Sequence, residues 1–298
     1  MNVLYTPKEN FTEIPDYPFE ENYFDLGDNL KMHYLDEGSK SDPVVLLLHG
    51  EPSWSFLYRK MIPVFLEAGY RVLCPDLIGF GKSGKPTDQK DYTYENHIQW
   101  TNTWLTSMEV AGIHLFAQDW GGLIGLRLVT SNPSDFASIT VGNTGLPTGD
   151  QTPTEAFLQW QSYSQQVKSL PVSKILQTST VRKLNEAELN AYSAPFPDAS
   201  YQAGAKIFPS LVPSSPEDPQ TENNREAWQI LKTWKKPFLC LFSDSDPITK
   251  GGEKYFMKVI PGAQHEYHET IPNAGHFLQE DQPVLIANKM ISFISLNQ

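Results

Sequence analysis

Cysteine and long apolar runs are both scarce in this sequence of 298 residues. There are only two cysteines, Cys74 and Cys240, which is too few for a disulfide framework or a four-cysteine zinc site. Each lies in an apolar, strand-like run, where cysteine usually serves as a small buried hydrophobe. Residues 1–17 lack the basic and apolar regions of a secretory signal, and no apolar run is long enough to span a bilayer. We therefore expect a reduced, cytoplasmic setting and no contact with a membrane.

The sequence is also short of positive charge. Its 23 lysines and arginines are outnumbered by 35 aspartates and glutamates, which gives a formal net charge of -12 at pH 7. An acidic chain is not attracted to a phosphate backbone, so this charge argues against nucleic acid as a partner. It also does little to attract an anionic substrate and therefore favours a neutral one. We expect the chain to act as a monomer.

Strand-like and helix-like stretches alternate through the first half of the chain. Continuous apolar runs separated by helical patterns predict a parallel sheet covered by helices on both faces. Two shorter alternating stretches on either side of Gly27 precede these runs and predict an antiparallel hairpin. The predicted strands of this half are 23–28, 31–36, 44–48, 70–74, 113–117 and 136–141, and the predicted helices are 55–68, 95–110 and 122–131.

The alternation stops near residue 149 and returns only after residue 219. The stretch between these points is rich in Gln, Ser and Pro and shows helical patterns but no buried strand. We therefore predict an α/β fold, with a mostly parallel central sheet flanked by helices and an inserted helical cap domain. The predicted domain limits are 1–148 and 220–298 for the main domain and 149–219 for the cap. The later predicted elements are helices at 154–168 and 185–192, strands at 237–242 and 266–271, and a helix at 283–294.

A strand, a tight turn and a helix meet at residues 118–122, whose sequence is Gln-Asp-Trp-Gly-Gly. In α/β-hydrolases such a turn projects the nucleophile out of the sheet, and its glycines let the helix pack closely on the strand. The residue at the tip is Asp119 in place of the commoner serine. A carboxylate suits displacement at a saturated carbon, which would leave an alkyl ester on the protein. The alternative is that Asp119 only caps the following helix, as Asp often does.

His276 and an upstream aspartate complete a triad in the α/β-hydrolase order. His276 lies in the loop 272–277, just past the last predicted strand, where a general base is expected. Two aspartates, Asp244 and Asp246, follow the preceding strand. We prefer Asp246 as the acid that orients the ring, because it lies further beyond the strand end, beside Pro247. The other histidines fall in or near predicted strands and helices, where we expect packing or surface roles.

The loop at residues 49–54 follows the first parallel strand, where α/β-hydrolases place an oxyanion-binding N–H group. We expect the backbone N–H groups of Glu51 and Trp120 to stabilise charge that develops on Asp119 during ester hydrolysis. The Glu51 side chain would hold water, orient the loop, or simply be an exposed charge at a turn. A leaving group such as halide needs donors in a dry pocket, which indole N–H groups supply. Trp120 is one candidate and Trp160 is the other, although packing within the insertion would also explain Trp160.

A glycine-rich stretch at residues 79–84 matches the dinucleotide-binding fingerprint and nearly matches a phosphate-binding loop. The context argues against both sites, because no helix begins after Gly84 and Pro86 stands where a phosphate loop requires Ser or Thr. We interpret the glycines as tight-turn residues. We predict no cofactor and no metal site in this protein.

These motifs together resemble those of haloalkane dehalogenases, a family of the α/β-hydrolase superfamily. The resemblance covers nearly the whole chain and implies Asp119 as the nucleophile, His276 as the base and Asp246 as the acid. It also implies halide binding by Trp120 and Trp160, which is typical of the branch whose second donor comes from the lid. The segments that carry the resemblance are 49–54, 118–122, 157–160, 194–204 and 273–277, together with Asp246.

The resemblance implies a two-step hydrolysis of a small neutral haloalkane to an alcohol, halide and a proton, without a cofactor. Asp119 would displace halide, and water activated by His276 would cleave the resulting ester. Epoxide hydrolases carry a similar Asp-Trp-Gly-Gly turn and would need lid tyrosines, for which Tyr163, Tyr192 and Tyr201 are available. A non-catalytic ligand-binding relative is a second alternative, but such proteins usually lose a triad member and none is missing here.

Overall fold

A mixed eight-stranded sheet forms the centre of this computed structural model, which describes residues 1–297. The strands are β1 Val3–Leu4, β2 Asn22–Asp25, β3 Lys31–Glu37, β4 Val44–Leu48, β5 Arg71–Pro75, β6 Lys85–Pro86, β7 Ile113–Gln118, β8 Phe136–Gly142, β9 Phe238–Ser243 and β10 Glu269–Ile271. The order across the large sheet is β10-β9-β8-β7-β4-β5-β3-β2, and β1 pairs separately with β6. The six strands from β10 to β5 run parallel, whereas β3 and β2 form an antiparallel hairpin at one edge.

The burial of the strands follows from their place in the sheet. Every residue of β4, β5, β7 and β9 is buried, as expected for parallel strands covered on both faces. The edge strand β2 instead alternates between half-buried and exposed residues. The hairpin turn contains Gly27, Asp28 and Asn29, all at positive φ, which these residue types tolerate best. The predicted hairpin and parallel sheet are both confirmed.

Two groups of helices cover the sheet. The helices are α1 Ile62–Glu67, α2 Tyr94–Ser107, α3 Trp120–Ser131, α4 Glu155–Gln166, α5 Val172–Thr178, α6 Glu186–Ser193, α7 Ala203–Ile207, α8 Thr221–Leu231, α9 Glu253–Val259, α10 Leu278–Asp281 and α11 Pro283–Ser295. α1 and α11 pack together, and α2 and α8 both contact α3. The helices predicted over 95–110, 122–131 and 283–294 are confirmed as α2, α3 and α11, with ends shifted by a few residues.

The continuous helix predicted over 55–68 is wrong. The chain forms a 3₁₀ helix at Ser55–Tyr58 and begins a separate helix, α1, at residue 62. Pro63 explains the break, because proline has no N–H to donate and its ring clashes with the carbonyl four residues earlier. In α1 this proline lies in the first turn, where the missing donor costs no hydrogen bond.

The strand predicted over 266–271 is also too long, since β10 covers only Glu269–Ile271. Just before β10, a histidine side chain takes the place of backbone pairing with β9. Nδ1 of His268 accepts a hydrogen bond from the backbone N–H of Cys240 at 3.0 Å. Because an imidazole occupies this part of the edge of β9, the chain pairs with β9 only from residue 269 onward.

The long connection between β8 and β9 is helical. α4 and α6 confirm the helices predicted over 154–168 and 185–192, whereas the sequence pattern does not predict α5 and α7. Asn185 starts α6 with a capping box, in which its side chain and that of Glu188 bind each other's backbone N–H groups. α8 contacts α3 and so packs with the sheet. The domain limits at residues 148 and 219 stay a prediction, which this arrangement supports.

The two cysteines are free and buried, Cys74 in β5 and Cys240 in β9. The prediction that they act as small buried hydrophobes is therefore confirmed. Burial raises the pKa of both thiols, which keeps them protonated and unreactive. None of the helices within residues 1–297 combines the length and the apolar character needed to cross a membrane.

Candidate active site

Asp119 occupies the turn between β7 and α3 in a backbone conformation that few residues adopt. Its φ is 52° and its ψ is -126°, which is strained for a residue with a side chain. Two glycines allow the helix to approach the sheet behind it. A Cβ on Gly121 would lie 2.0 Å from the Leu48 carbonyl oxygen, and one on Gly122 would lie 2.1 Å from Oγ1 of Thr144. The turn therefore presents the Asp119 side chain to the cavity beyond the strand ends.

The Asp119 carboxylate does not cap the helix that follows it. No backbone N–H of α3 donates to it, so the capping alternative is wrong. Oδ1 instead accepts a hydrogen bond from the backbone N–H of Glu51 at 2.8 Å. The Glu51 side chain itself is buried, so the expectation of an exposed charge at a turn is wrong. The other predicted donor, the N–H of Trp120, makes no hydrogen bond to this side chain among the residues described. The side chain of Asp119 keeps 22% of its surface exposed, so it is accessible from the cavity.

His276 and Asp246 lie beside the Asp119 carboxylate. Nε2 of His276 is 3.4 Å from Oδ2 of Asp119, and Nδ1 of the same ring is 3.0 Å from Oδ2 of Asp246. The rival aspartate, Asp244, is exposed and accepts the backbone N–H of Asn273 at 2.9 Å instead. The structure thus places the imidazole between two carboxylates, while Asp244 supports the loop that carries the ring.

The two carboxylates control the charge of the His276 ring. Burial opposes a charge on the ring, but Asp246 and then Asp119 outweigh it and raise the pKa of His276 to about 10. Burial likewise opposes ionisation of Asp246, yet the neighbouring ring and the Thr249 hydroxyl hold the pKa of this carboxyl at about 2. At neutral pH the site therefore contains an imidazolium between two carboxylates.

Two polar residues that the sequence analysis does not single out hold the histidine loop in place. The side-chain amide of Gln118 donates to the His276 carbonyl oxygen at 3.1 Å, and its Nε2 lies 3.2 Å from Nε2 of the ring. Asn143 donates to the same carbonyl at 3.0 Å and to Oγ of Ser243 at 2.8 Å. Gln118 ends β7 and Asn143 follows β8, so the signal that could have identified them is a polar residue at the carboxyl end of a buried strand.

A cavity of about 920 Å³ opens in front of Asp119. Trp120 lines it from the start of α3, and Trp160 lines it from α4. The indoles of Trp54 and Trp228 donate to backbone carbonyls, whereas the indole of Trp160 faces the Glu51 carboxyl and lowers its pKa against the effect of burial. The apolar part of the wall also includes Leu123, Phe157, Ile175 and Val212. The cavity therefore contains two indole N–H groups in largely apolar surroundings.

The glycine-rich stretch 79–84 forms a loop around a buried carboxylate, that of Asp76. The backbone N–H of Lys82 donates to this carboxylate at 2.8 Å. The ammonium group of Lys85 is buried and donates to two carbonyl oxygens of the same loop, at 2.7 and 3.0 Å. The short strand β6 follows, which agrees with the interpretation of the glycines as turn residues. In the described part of the chain, no group of three or more His, Cys, Asp or Glu side chains could hold a metal ion.

Comparison with known proteins shows which family combines these features. The sequence model of a family described as "alpha/beta hydrolase fold" matches residues 43–283. A haloalkane dehalogenase of Psychrobacter cryohalolentis is 52% identical, with 100% of this chain and 99% of the relative covered. A haloalkane dehalogenase of Mycobacterium marinum is 46% identical, with 98% of this chain and 100% of the relative covered. The chain belongs to the haloalkane dehalogenase family.

Solved structures of haloalkane dehalogenases have the same fold. The tetrameric haloalkane dehalogenase DpaA from Paraglaciecola agarilytica superimposes with a TM-score of 0.92 at 34% identity, covering 98% of both chains. A loop variant of DbeA from Bradyrhizobium elkanii has a TM-score of 0.79 over 93% of this chain and 96% of that one, and its 22% identity shows the fold alone. The resemblance to haloalkane dehalogenases is thus confirmed. Membership of the branch with a lid tryptophan stays a prediction.

Proposed function

We propose that this protein hydrolyses the carbon–halogen bond of a small, neutral haloalkane to an alcohol, a halide ion and a proton. The observation that carries the proposal is the Asp119 carboxylate at a strained turn, open to a largely apolar cavity and 3.4 Å from the His276 ring. Relatives that are 44% to 52% identical over nearly the whole chain are named haloalkane dehalogenases, which supports the same activity here.

The first step is displacement of halide by Asp119. A carboxylate oxygen forms a bond to the carbon that carries the halogen, and the carbon–halogen bond breaks with its electron pair on the halide. The apolar cavity favours this attack because it leaves the carboxylate poorly solvated. The indole N–H groups of Trp120 and Trp160 bind the departing anion, since both side chains line the cavity and an indole N–H can only donate.

In the second step a water molecule cleaves the ester. Esterification removes the negative charge of Asp119, which is one of the influences that raise the pKa of His276. The ring can then release its proton and act as the general base, while Asp246 holds it in position. The backbone N–H groups of Glu51 and Trp120 stabilise the oxyanion, and that of Glu51 is already 2.8 Å from Oδ1 of Asp119.

The positions of the tyrosines favour halide displacement over epoxide opening. An epoxide hydrolase needs a tyrosine hydroxyl in the cavity to protonate the epoxide oxygen. The side chain of Tyr163 is exposed, and the hydroxyl of Tyr192 donates to Glu280. Neither of these residues nor Tyr201 lines the cavity. The hypothesis of a non-catalytic binding protein is disfavoured because all three triad side chains are present and adjacent.

The state of the protein in solution is part of the proposal. We expect a cytoplasmic monomer that needs only haloalkane and water and has no nucleic-acid or membrane partner. A relative that is 34% identical is described as tetrameric, so the oligomeric state needs a direct measurement. Light scattering after size-exclusion chromatography should give the mass of one chain, 33.7 kDa, and a fourfold larger value would contradict the monomer.

Replacing the base tests the two-step scheme. We expect His276→Gln to retain halide displacement and to lose ester hydrolysis, because Asp119 is intact but the proton acceptor is gone. With a brominated alkane present, intact-protein mass spectrometry should show an adduct with the mass of the alkyl group. Halide release should stop after a single equivalent.

His268→Gln is the matched control for this experiment. It removes a half-buried imidazole that does not line the cavity, so turnover should match that of the unchanged protein. If the unchanged protein releases halide but His276→Gln gives no adduct, the alkyl-ester scheme is wrong. If the unchanged protein releases no halide from chlorinated, brominated or iodinated alkanes, the proposed activity is wrong.

A further inference from the structure

The cavity in front of Asp119 is larger than the reaction of a small haloalkane needs. Its volume of about 920 Å³ lies near the upper end of the range that encloses drug-sized ligands, which is roughly 300 to 1,000 Å³. The triad and the two proposed halide donors account for only part of the lining. Three aromatic residues from α8 and α9, Trp228, Tyr255 and Phe256, form another part, which we call the aromatic compartment.

The rings of the aromatic compartment pack against one another. The centroids of Trp228 and Tyr255 are 4.8 Å apart with the planes at 78°, and those of Trp228 and Phe256 are 5.4 Å apart with the planes at 30°. Trp228 and Phe256 are buried, whereas Tyr255 is 43% exposed. The indole N–H of Trp228 donates to the Leu146 carbonyl oxygen at 2.7 Å. Trp228 therefore offers the cavity an apolar ring and no free N–H group.

The segment after β8 links the aromatic compartment to the proposed nucleophile. Oγ1 of Thr144 donates to the Asp119 carbonyl oxygen at 2.7 Å, and Leu146, two residues further on, binds Trp228. Two residues extend over at most about 7 Å. Gly145 lies between them in the cavity lining, and a Cβ on it would meet nothing within 4 Å. The compartment thus begins a short alkyl chain away from Asp119, and residue 145 places no side chain between them.

The charged residues near the aromatic compartment do not favour a charged ligand. Arg225, one turn before Trp228 on α8, donates to Asp150 at 2.6 Å and to Glu222 at 3.3 Å. All three of these charged side chains are partly or largely exposed, so solvent screens them as well. A group that enters the compartment is therefore expected to be neutral and apolar, and aromatic rings pack well on rings of this kind.

We propose that the aromatic compartment binds an aryl group that a short alkyl chain joins to the carbon bearing the halogen. This inference rests on the proposed function and extends its substrate from a small haloalkane to an arylalkyl halide. The halogen-bearing carbon lies against Asp119 while the aryl ring packs on Trp228 and Tyr255. Because binding of the ring holds the carbon at the nucleophile, its energy contributes to kcat/KM. Tyr255 is then a specificity-determining residue.

Phenylpropyl bromide and propyl bromide test the proposal, because they present the same reacting carbon and differ in the aryl ring. We expect the unchanged protein to have a kcat/KM at least about tenfold higher for phenylpropyl bromide, since the ring buries apolar surface. Tyr255→Ala should lower this kcat/KM roughly 5- to 30-fold and change that for propyl bromide by less than about twofold. Tyr255→Phe keeps the ring and should match the unchanged protein with both compounds.

Tyr267→Ala is the matched control. Tyr267 is 49% exposed and packs on the ring of Phe293 at 6.1 Å, but it does not line the cavity, so neither kcat/KM should change. Equal kcat/KM values for the two bromides would overturn the aryl site while leaving the dehalogenation scheme intact. Equal losses in Tyr255→Ala and Tyr267→Ala would overturn it too.

A halogen-free ligand separates this inference from the proposed function. If neither bromide releases halide, the proposed function is wrong, and propylbenzene then tests the aromatic compartment alone. Propylbenzene should raise the Tm of the unchanged protein and of Tyr267→Ala more than that of Tyr255→Ala, because a ligand stabilises the fold that binds it. The same change in Tm for all three proteins would overturn the aryl site.

Discussion

At the scale of single residues, the charge of the His276 ring depends on the state of its neighbour Asp119. Burial alone would keep the ring neutral, and it is Asp246 together with the charged Asp119 that raises its pKa to about 10. Once Asp119 is esterified, Asp246 acts alone against burial. The ring is thus an imidazolium in the resting protein, and its pKa falls when the reaction needs a base.

This coupling predicts different pH dependences for the two steps. Ester hydrolysis needs a neutral His276, so its rate constant should fall about tenfold per pH unit below the pKa of the ring in the intermediate. That pKa must lie below the value of about 10 found with Asp119 charged. Halide displacement does not need a neutral ring and should not share this dependence. Rapid-quench measurements from about pH 5 to about pH 9 check both steps, and a common acid limb would contradict the coupling.

At the scale of elements, the two proposed halide donors come from helices in different parts of the chain. Trp120 begins α3, which packs on the sheet, whereas Trp160 belongs to α4 in the helical connection. α4 contacts α7, and the side chain of Gln161 donates to the Pro209 carbonyl oxygen at 3.0 Å. The geometry of the halide site therefore depends on how α4 packs on its neighbours.

Trp160→Phe tests the contribution of α4. We expect halide affinity to fall roughly tenfold or more, because one of two hydrogen bonds to an anion is lost while the aromatic packing stays. Quenching of tryptophan fluorescence by added bromide measures the affinity. Trp100→Phe is the control, since Trp100 does not line the cavity. An unchanged halide affinity in Trp160→Phe would remove Trp160 from the site.

The helical connection also contacts the loop that carries the base. The Asp281 carboxylate accepts the backbone N–H of Gly275 at 2.8 Å and that of Arg182 at 2.7 Å. The Ser179 carbonyl accepts the backbone N–H of Phe277 at 3.2 Å. Because these contacts lie on both sides of residue 276, a shift of the connection would move the base as well as Trp160.

At the scale of the whole molecule, a buried ionic cluster joins three distant parts of the chain. Arg59 precedes α1, Glu188 lies in α6 and Glu280 lies in α10. Arg59 donates to Glu188 at 2.7 Å and also pairs with Glu280, and Arg182 pairs with both glutamates. Burial opposes ionisation of Glu280, but Arg59 outweighs it and lowers the pKa of this carboxyl. The cluster therefore fixes the helical connection to the main body next to the histidine loop.

Glu280→Gln should destabilise the protein by roughly 3 to 5 kcal/mol, because it leaves buried arginines without one partner. Urea unfolding at neutral pH measures the loss. The pKa of Glu280 is lowered in the fold, so its contribution is present above its ordinary pKa and disappears as the pH falls. The destabilisation caused by Glu280→Gln should therefore be smaller at acid pH. Lys289→Gln, at an exposed ion pair, should cost no more than about 1 kcal/mol, and an equal cost for both variants would contradict this role of the cluster.

Much of this protein can be predicted from local patterns in the sequence. The parallel strands, the hairpin at Gly27 and the tight turn at Asp119 follow from residues that are close neighbours in the chain. Pro63 is also a local signal that a helix over 55–68 would be interrupted, but the apolar spacing of this stretch is helical and predicts a continuous helix. The position of Asp246 further beyond the end of β9 favours it over Asp244 as the acid. The same difference in position decides which of the two aspartates reaches the His276 ring.

The sequence by itself determined the residue types at the site and their order along the chain, because turn chemistry and apolar periodicity act over a few residues. Tertiary structure alone decided which of them meet. The parallel strands β7, β8, β9 and β10 end at the same edge of the sheet, and the loop after β10 reaches back across that edge, so that His276 comes within 3.4 Å of Asp119 although the two are far apart in sequence. The burial of Glu51 and the support given by Asn143 arise in the same way, since both depend on contacts between segments that no local pattern encodes.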